Sequence, residues 1–263
     1  MSANTLQIDR GGSVAIIWLN RPDVHNAFDA ALVADLTEAF EQLSTAADVR
    51  VIILAARGKS FSAGAQVQWM QQQGAATPEQ NFADAQRLAR LFHLIATCPK
   101  PTVARVQGGA YGGGIGLIAA CDYALGSSNG GFCISEVRLG LIPAVIAPYV
   151  LRAIGQRNAS RYFLTAERFD AQTAHRLGLL HEIVAPSHLD ERLQEITSAL
   201  LAGAPAAQAE AKQLIASVAG RSITPELLDD TAQRIATRRA HPEATEGLAA
   251  FLAKRPATWI QPA

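Results

Sequence analysis

The sequence predicts an α/β fold, because short β-branched runs alternate with segments of helical periodicity. Buried strands are predicted over 14–19, 49–54 and 102–106. The first helix follows Asp29, a favourable N-cap, and its apolar residues recur at helical spacing as far as Leu43. A second helix begins near Pro78 and ends before Pro99.

The pattern changes after Pro143, where predicted strands almost disappear and 182–184 is the one segment expected to be extended. Helical periodicity covers 146–155, 157–164, 187–202, 205–217, 224–239 and 242–253. We therefore predict a core region over 1–197, which would hold the functional site, followed by a helical C-terminal region over 198–263.

Composition excludes some classes of protein. Of the 263 residues, 49% are apolar and 17% are charged, so the chain can bury a large core. The low charged fraction indicates that identical subunits cover part of the surface. Basic and acidic residues number 23 each, and this zero net charge argues against a nucleic-acid-binding domain, which normally has a basic excess.

The cysteines and the N-terminus predict a cytoplasmic protein. Residues 1–12 lack the apolar stretch of a signal peptide, and no run of apolar residues is long enough to span a membrane. Cys98, Cys121 and Cys133 are odd in number and have no CxxC spacing, which is typical of a reducing compartment. The histidines lack metal-ligand spacing, so we expect no metal. We also expect no separate cofactor.

Two glycine-containing loops could bind an anion. The segment 107–116 joins the strand 102–106 to an apolar helix over 117–121, and 61–66 follows the strand 49–54. Small residues before a helix leave backbone N–H groups free to face a fixed phosphate or a developing enolate oxygen. One N–H from each loop would form an oxyanion hole, which is expected to contribute about 10²–10³ in rate per donor. The alternative is two unrelated loops.

A second interpretation of the glycines is a dinucleotide site. The segment 114–119 fits GxGxxA, and Glu136 follows at the spacing expected of the ribose-binding acid. However, several residues separate this motif from the strand 102–106, and the next strand, over 123–126, ends without an acidic residue. A nicotinamide oxidoreductase is therefore the disfavoured alternative.

The segment after residue 131 contains a candidate acid/base. If the chain is extended there, Phe132, Ile134, Glu136 and Arg138 share one face. A carboxylate beside apolar side chains is partly desolvated, which raises its pKa into a range useful for proton transfer. The alternative is a surface ion pair between Glu136 and Arg138.

The ordered set of motifs resembles the crotonase (enoyl-CoA hydratase/isomerase) superfamily over residues 5 to 260. These motifs are Asn20-Arg21-Pro22, Asn26-Ala27, 61–65, 112–114, Cys121-Asp122, Ser135-Glu136 and 140–143. The resemblance implies a crotonase-like spiral of β-β-α turns with a helical C-terminal trimerisation region. The implied assembly is a homotrimer or a dimer of trimers.

The same resemblance implies a site for an acyl-CoA thioester. The thioester oxygen would receive the N–H groups of Ala65 and Gly113, and Glu136 would move protons. Lys254 or Arg255 would reach the CoA phosphates of a neighbouring subunit. The other residues expected to contact CoA are Ala63, Gly64, Gln66, Val67, Gly112 and, from its strand–helix loop, His25.

Two positions depart from the family pattern. Gly116 stands where hydratases with two carboxylates have their first glutamate, and Gln66 stands where an aspartate is usual. Glu136 alone could add water to a 2-enoyl thioester, or an external anion could fill the space left at Gly116. One glutamate could also shuttle a proton between C2 and C4 as an isomerase does, and a non-catalytic acyl-CoA binder is a further alternative. The change at Gln66 is harmless if this position offers only backbone to CoA.

A narrower resemblance involves 132–150 and 161–169, which are similar to bacterial methylglutaconyl-CoA hydratases. Such a substrate would need a cationic or polar partner for its distal carboxylate. The candidates are Arg138, Arg90, His93 and Gln68. We therefore expect hydration of an enoyl-CoA, with the methylglutaconyl thioester as the particular substrate to test.

Overall fold

The computed structural model describes residues 5–260, and their elements confirm the predicted α/β class. The strands are β1 Leu6–Gly11, β2 Val14–Leu19, β3 Val51–Ala56, β4 Ser60–Ser62, β5 Thr102–Val106, β6 Gly109–Tyr111, β7 Tyr123–Ser127, β8 Gly131–Cys133, β9 Phe169–Asp170 and β10 Glu182–Val184. The helices are α1 Ala30–Thr45, α2 Val67–Gly74, α3 Pro78–Thr97, α4 Gly113–Ala120, α5 Ala147–Thr165, α6 Ala171–Leu177, α7 Leu189–Ala202, α8 Pro205–Val218, α9 Pro225–Arg239 and α10 Pro242–Leu252.

The strands form two sheets, and a repeating β-β-α unit contributes one strand to each of them. The larger sheet has the order β1-β2-β3-β5-β7-β10, and the smaller has the order β4-β6-β8-β9. The pairs β3–β4, β5–β6 and β7–β8 each place one strand in each sheet, and each pair is followed by helix. This arrangement confirms the predicted spiral of β-β-α turns. Because β3 and β5 are parallel neighbours, the loops beyond them lie close together.

Local signals explain where the helices begin. The Asp29 side chain accepts a hydrogen bond from the Leu32 amide at 2.9 Å, as an N-cap residue does. Thr77 and Gln80 form a capping box at the start of α3, with Pro78 at the first helical position. Inside α5, Gly155 has a φ of 75°, which kinks the helix between the two segments predicted separately.

The strand β3 explains how the core lies on both sides of the larger sheet. All of its residues are buried, and alternate side chains face opposite directions. Ile52 and Leu54 join the main core, whereas Val51 and Ile53 pack in a second cluster with the apolar face of α7. The helix α7 spans the predicted boundary at residue 197. The division into a core region and a C-terminal region stays a prediction.

The helices α8 to α10 have several large apolar side chains exposed, and Lys212 of α8 pairs with Asp122, just before β7, at 2.5 Å. Arg50 of the core binds the segments that flank these helices. This guanidinium donates hydrogen bonds to the carbonyl oxygens of Leu201 at 3.0 Å and Trp259 at 2.8 Å, and to that of Gly203. Among residues 5–260, none of the helices combines the length and the hydropathy needed to cross a membrane.

The expectation of an extended chain through Arg138 is wrong. The strand β8 ends at Cys133, and Glu136–Leu139 forms a short 3-10 helix. Gly140, with a φ of 70°, ends this turn by donating to the carbonyl oxygens of Glu136 and Val137. Arg138 is therefore exposed and does not share a face with Glu136, which is half-buried.

Candidate active site

The loop before α2 presents the amide of Ala65. Phe28 donates its N–H to the Gly64 oxygen at 2.7 Å and accepts from the Gln66 N–H at 2.8 Å. These two bonds use the groups on either side of Ala65, so in this strand-like pairing its own N–H points away from Phe28. Within residues 5–260 that amide has no hydrogen-bond acceptor.

The second loop presents the amide of Gly113 at the start of α4. Gly112 is the N-cap, with a φ of 47°, and its own N–H donates to the Cys133 oxygen at 3.0 Å. The Gly112 carbonyl oxygen accepts from Ile115 at 2.9 Å. Gly113 is the first helical residue, so its N–H is one of those that a helix leaves without an internal partner.

The two loops approach closely because Gly64 has no side chain. A Cβ atom at Gly64 would lie 2.7 Å from the Tyr111 oxygen and 3.5 Å from the Gly113 nitrogen. Gly64 also has a φ of 81°, which side chains rarely tolerate. Ala65 and Gly113 line the same cavity of about 570 Å³, a volume typical of small-molecule sites.

Glu136 reaches this cavity from the turn after β8. A Cβ atom on Gly112 would lie 2.9 Å from its Oε1, so the carboxylate lies against the glycine loop. Oε2 is buried and has no hydrogen-bond partner within residues 5–260. Burial raises the pKa of the Glu136 carboxyl. Hydrogen bonds from the backbone N–H groups of Glu136 and Ser135 act in the opposite direction and lower this pKa, but burial has the larger effect. The surface ion pair with Arg138 is not among the ion pairs of the described chain.

The expected space at Gly116 is filled, so the hypothesis of an external anion there is wrong. A Cβ atom on Gly116 would lie 2.3 Å from Ile146 Cγ2 and 2.9 Å from both Ile146 Cβ and Phe92 Cε1. These side chains are almost completely buried. Glycine is required here by packing, and a glutamate could not enter without moving the core.

The same packing disfavours the dinucleotide interpretation. Gly114 and Gly116 lie inside the buried helix α4, and a Cβ atom on Gly114 would be 2.9 Å from the Ser62 Cβ. These glycines therefore contact other protein segments, whereas a dinucleotide motif needs its glycines to face an open pyrophosphate site. Within residues 5–260, no cluster of three or more potential metal ligands is present.

The cavity contains most of the predicted site residues, and Glu136 and Asp84 are its only ionisable lining groups within residues 5–260. Sequence reasoning did not select Asp84 or Phe28. The predicted residues that line the cavity are Ala63, Gly64, Ala65, Val67, Gly112, Gly113 and Glu136.

Three predicted CoA contacts lie outside the cavity wall. His25 places its ring Nδ1 3.1 Å from the Ser60 hydroxyl, and its carbonyl oxygen accepts from Ala63. Gln66 contributes its backbone to the pairing with Phe28 and does not line the cavity. Lys254 also lies outside the cavity of its own subunit, and its expected contact with a neighbouring subunit stays a prediction.

The four residues considered as partners for the distal carboxylate of a substrate also lie outside the cavity wall. Arg90 is paired with Glu41 at 2.6 Å, and Arg138, His93 and Gln68 are exposed. Within the described chain, the cavity therefore has no cationic side chain in its wall.

The fold and the site define an α/β spiral in which two backbone amides and the Glu136 carboxylate meet at the glycine loops of a largely apolar cavity. This is the geometry of an oxyanion-binding enzyme. Residues 9–262 match the family described as enoyl-CoA hydratase/isomerase, and the chain belongs to this family, the crotonase superfamily.

The relatives agree with this assignment over almost their whole length. A crystal structure of an enoyl-CoA hydratase from Shewanella pealeana superposes with a TM-score of 0.95 at 44% identity, covering 98% of this chain and 97% of that one. An enoyl-CoA hydratase structure from Mycobacterium smegmatis gives a TM-score of 0.92 at 32% identity, covering 98% and 100%. The short-chain-enoyl-CoA hydratase of Clostridium acetobutylicum is 30% identical over 82% of each chain.

Proposed function

We propose that this protein adds water reversibly across the 2,3 double bond of an enoyl-CoA thioester. The observation that supports it is the meeting of the Ala65 and Gly113 amides with the Glu136 carboxylate at one cavity. The similar proteins from Shewanella pealeana and Clostridium acetobutylicum are both named enoyl-CoA hydratases, which supports hydration as the reaction. CoA enters as part of the substrate, and the proposal needs no separate cofactor.

The proposed reaction uses Glu136 twice. As a carboxylate it accepts a proton from water while the water oxygen bonds to C3. The electron pair of the double bond moves towards the thioester, whose oxygen becomes an enolate stabilised by the Ala65 and Gly113 N–H groups. Glu136 then donates its proton to C2, which completes the addition of one water and restores the carboxylate.

Burial of Glu136 supports this shuttle. Because desolvation disfavours the charged form, the Glu136 carboxylate binds a proton more strongly than an exposed one. Ile146 and Phe92 fill the place that a second glutamate at Gly116 would need. Glu136, which lies against Gly112, is therefore the group proposed to take the proton from the water that adds at C3 and to give it to C2.

The second candidate function is double-bond isomerisation, which the single carboxylate favours because one group suffices to move a proton between C4 and C2. A hydratase removes the ultraviolet absorbance of a conjugated 2-enoyl thioester. An isomerase instead creates this absorbance from a 3-enoyl thioester. A non-catalytic binder would bind both thioesters and change neither.

The test compares wild type with Glu136→Gln on a 2-enoyl thioester such as crotonyl-CoA. We expect Glu136→Gln to lower kcat by about 10²–10⁴-fold, because it removes the acid/base and keeps the shape. Affinity for the unreactive butyryl-CoA, measured by calorimetry, should be unchanged. A Glu136→Gln enzyme with a near-normal rate would refute the assignment.

The matched control is Glu38→Gln, the same change at an exposed glutamate of α1 whose side chain accepts a hydrogen bond from Gln42. Its kcat should equal that of wild type. If Glu38→Gln and Glu136→Gln lose activity equally, the loss does not come from the proposed chemistry.

We propose that the acyl chain of the enoyl-CoA substrate has an uncharged end. The methylglutaconyl thioester is the finer hypothesis, and it requires a partner for its distal carboxylate that the described cavity wall lacks. A comparison of crotonyl-CoA with 3-methylglutaconyl-CoA tests it. A higher kcat/KM for the methylglutaconyl thioester would overturn the proposal of an uncharged chain and favour the finer hypothesis.

We also propose assembly through the C-terminal helices as a homotrimer or a dimer of trimers, in the cytoplasm. Large apolar side chains exposed on these helices support the assembly, namely Ile215, Leu228, Ile235, Leu248, Phe251 and Leu252. Three buried cysteines without disulfides support a reducing compartment.

A further inference from the structure

A second carboxylate lies in the cavity wall away from the glycine loops. Asp84 lies on α3, and the residues of α3 that line the cavity follow helical spacing: Asn81, Asp84, Ala85 and Leu88. Trp69 and Met70 of α2 line the cavity with them. This face of α3 therefore borders the space in which an acyl chain would extend beyond the reacting carbons.

Asp84 is unusual in that position. It is 7% exposed, and charged residues are seldom buried so far without full pairing. Its Oδ1 accepts from Arg87 at 2.8 Å, and the described residues give Oδ2 no hydrogen-bond donor. The Arg87 side chain is 61% exposed, so water weakens its compensation of the Asp84 charge.

We propose that Asp84 determines acyl-chain specificity in this site. It excludes acyl groups that end in a carboxylate and accepts a hydrogen bond from acyl groups that end in a hydroxyl. This inference rests on the proposed function, because it concerns the far end of the same enoyl-CoA substrate.

The physical basis is the charge and the hydrogen-bond acceptor that this mostly buried carboxylate brings to the cavity wall. A substrate carboxylate near Asp84 would meet a like charge with no cation from the described residues in the wall to offset it. A hydroxyl would instead donate to Oδ2, and hydrogen bonds to charged acceptors are stronger than neutral ones. A methyl end does neither and is therefore the reference.

The experiment measures kcat/KM for matched 2-enoyl thioesters of equal length that end in methyl, hydroxyl or carboxylate, at several chain lengths. In wild type, the carboxylate-ended thioester should be the poorest substrate at every length. Asp84→Asn keeps the shape and removes the charge. We expect it to raise the ratio of kcat/KM for carboxylate-ended over methyl-ended thioester by about tenfold or more.

Arg87→Gln is the second variant and should act in the opposite direction. Removal of this exposed cation leaves Asp84 less compensated, so the same ratio should fall, by a smaller factor than Asp84→Asn raises it, because water already weakens this ion pair. Since Arg87 is largely in solvent, this variant is expected to fold even if Asp84→Asn does not. An unchanged ratio in Arg87→Gln would then overturn the proposal.

The possible outcomes separate this inference from the proposed function. If wild type does not hydrate the methyl-ended thioester, the proposed function fails. If wild type hydrates it but folded Asp84→Asn leaves the ratio unchanged, only the specificity inference fails. If Asp84→Asn abolishes turnover of every thioester, Asp84 acts at the reacting atoms, and its assignment to the far end of the chain is wrong.

Discussion

Gly116→Ala tests how the site is built, because the resemblance places at this position the first glutamate of hydratases that use two carboxylates. An added Cβ would lie 2.3 Å from Ile146 Cγ2, well inside van der Waals contact. Over-packing of this kind costs about 1–3 kcal/mol, whereas Gly→Ala inside a helix normally gains about 0.5–1 kcal/mol. The net effect expected from these two numbers is a loss of up to about 2.5 kcal/mol.

Denaturant unfolding gives the measurement, and Gly74→Ala is the matched control. Gly74 is the last residue of α2, and a Cβ atom there would have no heavy atom within 4 Å. This control should be neutral or slightly stabilising. The change Ile146→Val in the Gly116→Ala background keeps Cγ2, so it should relieve little. Ile146→Ala removes Cγ2, so in a double-mutant cycle Gly116→Ala should cost less stability in the Ile146→Ala background than in wild type.

The reasoning would be refuted by a Gly116→Ala protein at least as stable as Gly74→Ala. Such a result would mean that the wall formed by Ile146 and Phe92 yields at no cost. The place of the missing glutamate would then be open to a second polar group, and the single-carboxylate mechanism would lose its structural support.

The remaining predictions concern Glu136 and the assembly. Because burial raises the pKa of Glu136, kcat should fall as pH is lowered through that raised pKa, and the residual rate of Glu136→Gln should lack this fall. The folded state binds the Glu136 proton more strongly than the unfolded chain, so ionisation costs stability as pH rises. Glu136→Gln should therefore be more stable than wild type at neutral pH, with a higher Tm, and equal to it below the usual glutamate pKa. Phe251→Glu should shift the assembly towards monomer in analytical ultracentrifugation, since Phe251 is 81% exposed in the isolated chain; an unchanged mass would exclude this face as the interface.

Much of the fold could be predicted because its signals are local. The strands, the N-cap at Asp29 and the start of the second helix near Pro78 depend on residues within a few positions of one another. The break between the predicted helices 146–155 and 157–164 corresponds to the kink at Gly155. The order of the β-β-α turns came from the resemblance of ordered motifs. The extended segment through Arg138 failed because a short run of alternating side chains also fits a single helical turn closed by Gly140.

The candidate site divides in the same way. Local sequence was enough to predict two loops with free amides and a carboxylate after the third turn, because helix starts leave backbone donors unpaired wherever they occur. Three features of the site could be seen only in the folded chain: Ile146 fills the place behind Gly116, Phe28 turns the Ala65 amide outward, and Asp84 lines the cavity. These contacts join segments that are far apart in the chain. They depend on the packing of the whole core, which no local pattern in the sequence specifies.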